Sequence, residues 1–215
     1  MQNSKTYRIS SKIIINNQEK DFFITIKTNP YSQTPLTLYN FGKSFLLAGE
    51  RCRKSEDNGD GGVASLTVPS LVNYAFSVEL FLKGICLHEG INNVRGHEIK
   101  VLFDRINNIN KSKIEGLFNS SWHQVIPNLN EMHSLVLNDN GFSDKFSPEI
   151  KSAFLIEIGT LINLDLSKLL DITNNHFANV RYEFEDSNIE YLELPLSILA
   201  ESVSTVLKDL IESTV

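Results

Sequence analysis

The sequence predicts a mainly α protein: an up-and-down helical bundle with a short N-terminal β-hairpin. Three observations predict it. Apolar residues recur at three- and four-residue spacing in most stretches after residue 34. Proline stands near the start of three of those stretches, at Pro35, Pro148 and Pro195, where its missing N–H costs nothing. The first 29 residues alternate instead, with a period of two. The division that follows is an appendage over 1–29 and a helical domain over 30–215.

The bulk numbers narrow the class. A chain of 215 residues with 41% hydrophobic content suits one domain with a real core. A net charge of -6 argues against broad, non-specific binding of nucleic acid, while leaving room for a local basic site. Cys52 and Cys86 give neither a disulfide framework nor metal-ligand spacing, and are expected as reduced thiols. The start, MQNSKTYRIS, has no apolar leader, and no apolar run is expected to span a membrane. The expectation is a cytoplasmic protein with no membrane partner.

Taken in order, Lys12 to Ile15 is apolar and β-branched, Asn16-Asn17 is a turn signal, and Phe22, Ile24 and Ile26 alternate with their neighbours. A hairpin alone is marginal in water, so it must dock on the body or pair with another chain. Thr34 caps a helix that opens at Pro35 and buries Leu38, Phe41, Phe45, Ala48 and Cys52. The polar run KSEDNGDGG, 54–62, is a linker; it lacks both calcium-loop and phosphate-loop spacing. A central helix, 68–89, stops at Gly90. His97 then starts a short helix with Ile99, Leu102, Phe103 and Ile106 inward. His97 is a cap, a loop anchor or a catalytic group.

Residues 107–150 carry weaker signals. Lys113 to Phe118 suggests a helical turn, and Trp122 suggests a place where loop meets core. His123 and His133 have no further ligand at metal spacing, so no metal is expected, and no cofactor motif is present. Ser147 and Pro148 open another helix, with Phe154, Ile158, Leu161 and Ile162 inward. A helix over 165–186 follows, and the last one carries the cleanest stripe, from Leu196 to Ile211.

Two charges fall on apolar faces. Glu79 lies four residues after Ala75 and three before Leu82; Arg181 lies four after Phe177 and three before Phe184. An unpaired buried charge is too costly to keep. The two helices are therefore expected to pack, with Glu79 and Arg181 in one polar network that also takes Lys83, one turn beyond Glu79. That network is either a structural ion cluster or a pocket lined by Arg181, Tyr182 and Glu79.

Three segments resemble the HEPN superfamily. SVELFLKGICLHEG is similar to its small-x-Glu-Leu-x-x-Lys helix through Ser77, Glu79, Leu80 and Lys83. GHEIKVLF is similar to its His-Asp-Leu helix start, with Glu98 and Ile99 replacing Asp and Leu. NNHFANVRYEFED resembles an Arg-Tyr-x-Tyr/Phe-Glu stretch of one bacterial branch, through Arg181, Tyr182, Phe184 and Glu185. The resemblance spans roughly 36–213. It implies a helical bundle that is often a homodimer. In active members it implies metal-independent RNA cleavage by an Arg-x4–6-His motif from both subunits, often in toxin–antitoxin, antiviral or stress systems. Inactive members act as binding scaffolds.

The chain departs from that motif. No histidine follows Arg181; His176 precedes it by five residues, some 140° away around a helix. Glu183, Glu185 and Asp186 would repel a phosphate beside Arg181. The first expectation is therefore a non-catalytic dimeric module that binds RNA, nucleotide or a partner protein of the same system. The second is a divergent endoribonuclease using Arg181 with His176 or His97 across a dimer. The third is a structural protein assembled through its hairpin. A locally basic cleft would draw on Lys83, Arg95 and Lys100.

Overall fold

The computed structural model describes residues 5–15, 18–28, 33–56, 67–92, 94–138, 147–180 and 192–214. For 5–28, 54–56, 67–68 and 174–180 only the backbone is described. The chain divides into two units, Met1–Gln33 and Thr34–Val215. In the first, β1 (Lys5–Ile15) and β2 (Gln18–Thr28) run antiparallel, with Ile15 opposite Gln18 and Lys5 opposite Thr28. The expected turn at Asn16-Asn17 lies outside the described residues.

The regular elements of the second unit, among its described residues, are helices: α1 (Pro35–Glu56), α2 (Thr67–His88), α3 (Ile99–Arg105), α4 (Asn108–Leu137), α5 (Pro148–Ile162), α6 (Leu166–Val180) and α7 (Glu193–Glu212). Local chemistry sets most of the starts. Thr34 Oγ1 accepts from the Thr37 N–H at 3.1 Å, with Pro35 first in the helix. Ser147 Oγ accepts from the Ile150 N–H at 3.4 Å, again with proline behind it. Asn107 caps α4 through the Asn110 N–H at 2.9 Å.

α2 is the axis of the core. α1, α7 and α3 all pack on it, and Tyr74, Ala75, Val78, Phe81, Leu82, Ile85 and Cys86 are wholly buried. The α1–α2 seam closes because two α1 glycines leave room for α2 rings. Gly42 sits against the Phe81 ring, and a Cβ on Gly49 would lie 2.8 Å from the Tyr74 ring. The other end of the seam is tied when Ser70 Oγ donates to Glu193 at the start of α7. Glu89, just beyond α2, accepts from the Asn107 N–H at 2.8 Å and from Asn110 Nδ2 at 2.6 Å, which fixes where α4 begins.

Four expectations need correcting. Phe41, expected on the buried face of α1, is 47% exposed, and Leu46 is buried instead. The segment read as a helical turn and a loop edge is one 30-residue helix, α4. Ile114, Phe118, Trp122 and Leu129 are its inward stripe, and Trp122 stacks on Phe118 within it at 6.2 Å. Asn, Ser and the interior Pro127 hide that stripe in the sequence; a proline inside a helix costs a hydrogen bond that tertiary packing outweighs here. His97 does not start α3, which begins at Ile99. Finally, Pro69–His88 is long and apolar enough to cross a membrane by length and composition alone, though 67% of its apolar window is buried inside the protein. The burial supplies a reason for that apolarity, since a helix surrounded by neighbours needs apolar residues all round.

Candidate functional site

Glu79 stands in the middle of α2 and is only 5% exposed. Its neighbours on the helix face the core, so the carboxylate must find its partners within reach. It finds two. Lys83 Nζ, one turn on, donates to Oε1 at 2.7 Å. His97 Nδ1 donates to Oε1 at 3.0 Å and to Oε2 at 3.1 Å. The carboxylate is thus satisfied on both oxygens, as a buried anion requires.

The return of the chain to Glu79 depends on two glycines. Gly90, at φ 77°, ends α2; Gly96, at φ 100°, immediately precedes His97. Nothing lies within 4 Å of a Cβ built on either, so dihedral freedom and not space makes glycine necessary. The turn at Gly96 swings His97 back over α2. Its Nδ1 is held, its side chain is 68% exposed, and its Nε2 has no partner among the described residues. A carboxylate on Nδ1 fixes the ring's orientation and puts a proton on that nitrogen, leaving Nε2 able to accept or deliver one.

Of the predicted site residues, Glu79, Lys83 and His97 meet in one cluster. His176 lies on the α6 backbone without a described side chain, and Arg181 and Tyr182 lie outside the described residues. The expected Glu79–Arg181 meeting therefore lies outside them as well. The reading of residues as a sequence missed the pairing of His97 with Glu79. The signal was there: both are positions of the quoted motifs, and Gly96 stands beside one of them.

The cations named for a basic cleft are differently employed. Lys83 is held by Glu79, and Lys100 is held by Asp171 on α6, a carboxylate that also raises the lysine's pKa. Arg95 is exposed on the same loop as His97 and has no ion pair among the described residues. Below Lys100 a cleft of about 150 Å³ opens between α3, α4 and α6, floored by Phe103, Leu166 and Leu170 and rimmed by Asp104 and Glu115. Cys86 is buried with its thiol pushed up to about 11 by desolvation, which makes it an inert core group. Among the described residues no three His, Cys, Asp or Glu side chains gather to hold a metal.

No protein-family model matches the chain, and no curated protein or solved structure matches it either.

Proposed function

We propose that this chain is a HEPN-like helical module that works as a non-catalytic, dimeric binder of RNA, nucleotide or a partner protein in a bacterial defence or stress system. One observation carries the reading: the buried Glu79 carboxylate takes both Lys83 and His97 as its own partners. A phosphate-cleaving centre needs cations turned outward to receive developing charge. Here the buried Glu79 takes up Lys83 in an ion pair. In the sequence, moreover, no histidine follows Arg181. Of the three cations named for a basic cleft, Arg95, beside His97 on the loop before α3, has no ion pair among the described residues.

A second reading has an observation of its own. A histidine held at Nδ1 by a buried carboxylate, with Nε2 unpartnered, is arranged as a general base would be. That favours the divergent, metal-independent endoribonuclease, with Arg181 on the phosphate. Incubation with labelled single-stranded RNA in EDTA separates the two, alongside anisotropy with the same RNA. The binder reading expects intact RNA and a binding isotherm weakened by Arg95→Ala. RNA cut by the wild type, spared by His97→Ala and by Arg181→Ala, and left with cyclic phosphate ends would replace it with the nuclease. Neither cutting nor binding would move the search to a protein partner.

A further inference from the structure

Among the described residues, β1 and β2 pair with each other and with no third strand. The regular elements of the helical unit are helices, so its described residues supply no further strand. The ladder runs from Lys5–Thr28 to Ile15–Gln18 without a bulge, and neither strand holds a proline or a glycine. Each strand is thus an unbroken edge of 11 residues, the kind of edge on which another strand can add. A hairpin of two strands is marginal in water, and further strands with a common apolar face stabilise it. The register supplies such a face. Tyr7 stands opposite Ile26 and Ile9 opposite Ile24, and Phe22 falls on the same side; Arg8, Lys12, Asp21 and Lys27 fall on the other.

The two edges differ in charge. β1 holds Lys5, Arg8 and Lys12 and no acid, whereas β2 holds Lys20 and Lys27 against Glu19 and Asp21. Two β1 strands side by side would gather cations alone, and such charges guard an edge against pairing. Two β2 strands bring both signs in equal number. We propose that two copies of the chain associate by pairing β2 with β2, antiparallel, across a twofold axis at Ile24. The product is one four-stranded sheet in the order β1–β2–β2–β1. In that register Ile24 stands opposite its own copy, Phe22 opposite Ile26, Phe23 opposite Thr25, Lys20 opposite Thr28 and Asp21 opposite Lys27. Phe22, Ile24 and Ile26 all meet apolar positions, and the charges that meet are of opposite sign. Neighbouring registers do worse. A slip of one residue sets the apolar face of one strand against the polar face of the other. A slip of two sets Ile26 opposite Lys20 in one direction and Phe22 opposite Thr28 in the other. This match of β2 to itself is what makes a second copy the occupant, since the twofold repeats every favourable pair. The inference deepens the reading above, and rests on it only for the homodimer.

Cross-linking and sedimentation velocity of the full chain test this. Position 24 stands opposite its copy with Cβ atoms about 4.5–5.5 Å apart. Ile24→Cys, in a Cys52→Ala background, is therefore expected to give a covalent dimer as the main product of mild oxidation. Ile9→Cys in the same background, on the same face but one strand further out, lies about 14 Å from its copy and is expected to stay uncrosslinked. From about 1 to about 200 μM the wild type is expected to pass from monomer to dimer. Lys27→Glu faces Thr6 within its own hairpin but Asp21 of the copy, and is expected to raise the Kd at least about tenfold with unchanged circular dichroism. Should it fail to fold, Lys27→Gln takes its place. Lys5→Glu, on the outer strand, is expected to dimerise as the wild type does. A wild type that is monomeric throughout overturns the proposal. So does a dimer that Ile24→Cys does not cross-link, that Ile9→Cys cross-links as well, or that Lys27→Glu leaves intact. Oligomers that grow with concentration would mean head-to-tail pairing of β1 with β2, and would overturn it too. RNA anisotropy on the same samples keeps the two readings apart: a monomer that binds RNA sinks the pairing and not the binder, and a cross-linked dimer that binds none does the reverse.

Discussion

The helix pairs α1–α2 and α4–α5 are both rich in apolar residues, yet they end in opposite states. In the first, glycines on α1 admit the Phe81 and Tyr74 rings, α7 covers the seam, and α2 loses almost all its surface. In the second, the first half of α4 is buried through Ile114, Phe118 and Trp122, but α5 buries only Ile158 among its residues, and no third helix packs on α5 as α7 packs on α2. The difference teaches that apolar content sets how much a helix gains from burial, while the number of neighbours sets how much of that gain is realised. One pair is core. The other keeps Met132, Leu135, Ile150 and Ile156 exposed.

The largest expected effects break the first pair. Phe81→Ala should cost about 3–5 kcal/mol by urea denaturation, while Met132→Ala on the open α4–α5 pair should cost less than about 1 kcal/mol in the monomer. Comparable losses from the two would mean that this pair is as well packed as the core. Next, Gly42→Ala should cost about 1–3 kcal/mol, because the new methyl meets the Phe81 ring in a seam with no room to yield. A neutral result would show that α1 can slide on α2.

Glu79→Ala should cost about 2 kcal/mol, since it strands Lys83 at 15% side-chain exposure without its partner. His97→Ala should cost less than about 1 kcal/mol, because that side chain is mostly in water. If His97→Ala proved the more damaging of the two, the loop rather than the carboxylate would organise the cluster.

The smallest effect concerns alkaline pH. Burial pushes the Tyr74 hydroxyl up to about 12 from 10.0, and the Cys86 thiol up to about 11 from 9.0. Both groups ionise more readily in the unfolded chain. The stability they lend is therefore complete below about pH 9 and drains as pH rises, through 11 for the thiol and 12 for the phenol. Tyr74 Oη also has no hydrogen-bond partner among the described residues. Tyr74→Phe should then raise stability by about 1 kcal/mol at pH 7 and flatten the loss above pH 10. A destabilised Phe variant would reveal a partner for the hydroxyl.

The helix starts were legible because capping is local. Thr34-Pro35 and Ser147-Pro148 name their own positions. The buried faces of α2 and α7 were legible because their stripes are nearly unbroken. α4 was not, because Pro127 and a run of asparagines and serines argue locally for a break, and packing against α7 and α5 outvotes them. Half the site was legible too. Glu79 and Lys83 are one helical turn apart, and that spacing alone brings them together.

By itself, then, the sequence determined the helical class, most helix starts, the inward stripe of α2 and the Glu79–Lys83 pair. All of these rest on interactions between residues a few positions apart, which a periodic pattern records. Only the tertiary structure decided that His97 returns to Glu79 from 18 residues away, and that α5 is left half covered. The first depends on the dihedral angles at Gly90 and Gly96, and the second on which helices happen to lie alongside. Neither is written in the spacing of apolar residues, because both are properties of where separate elements meet.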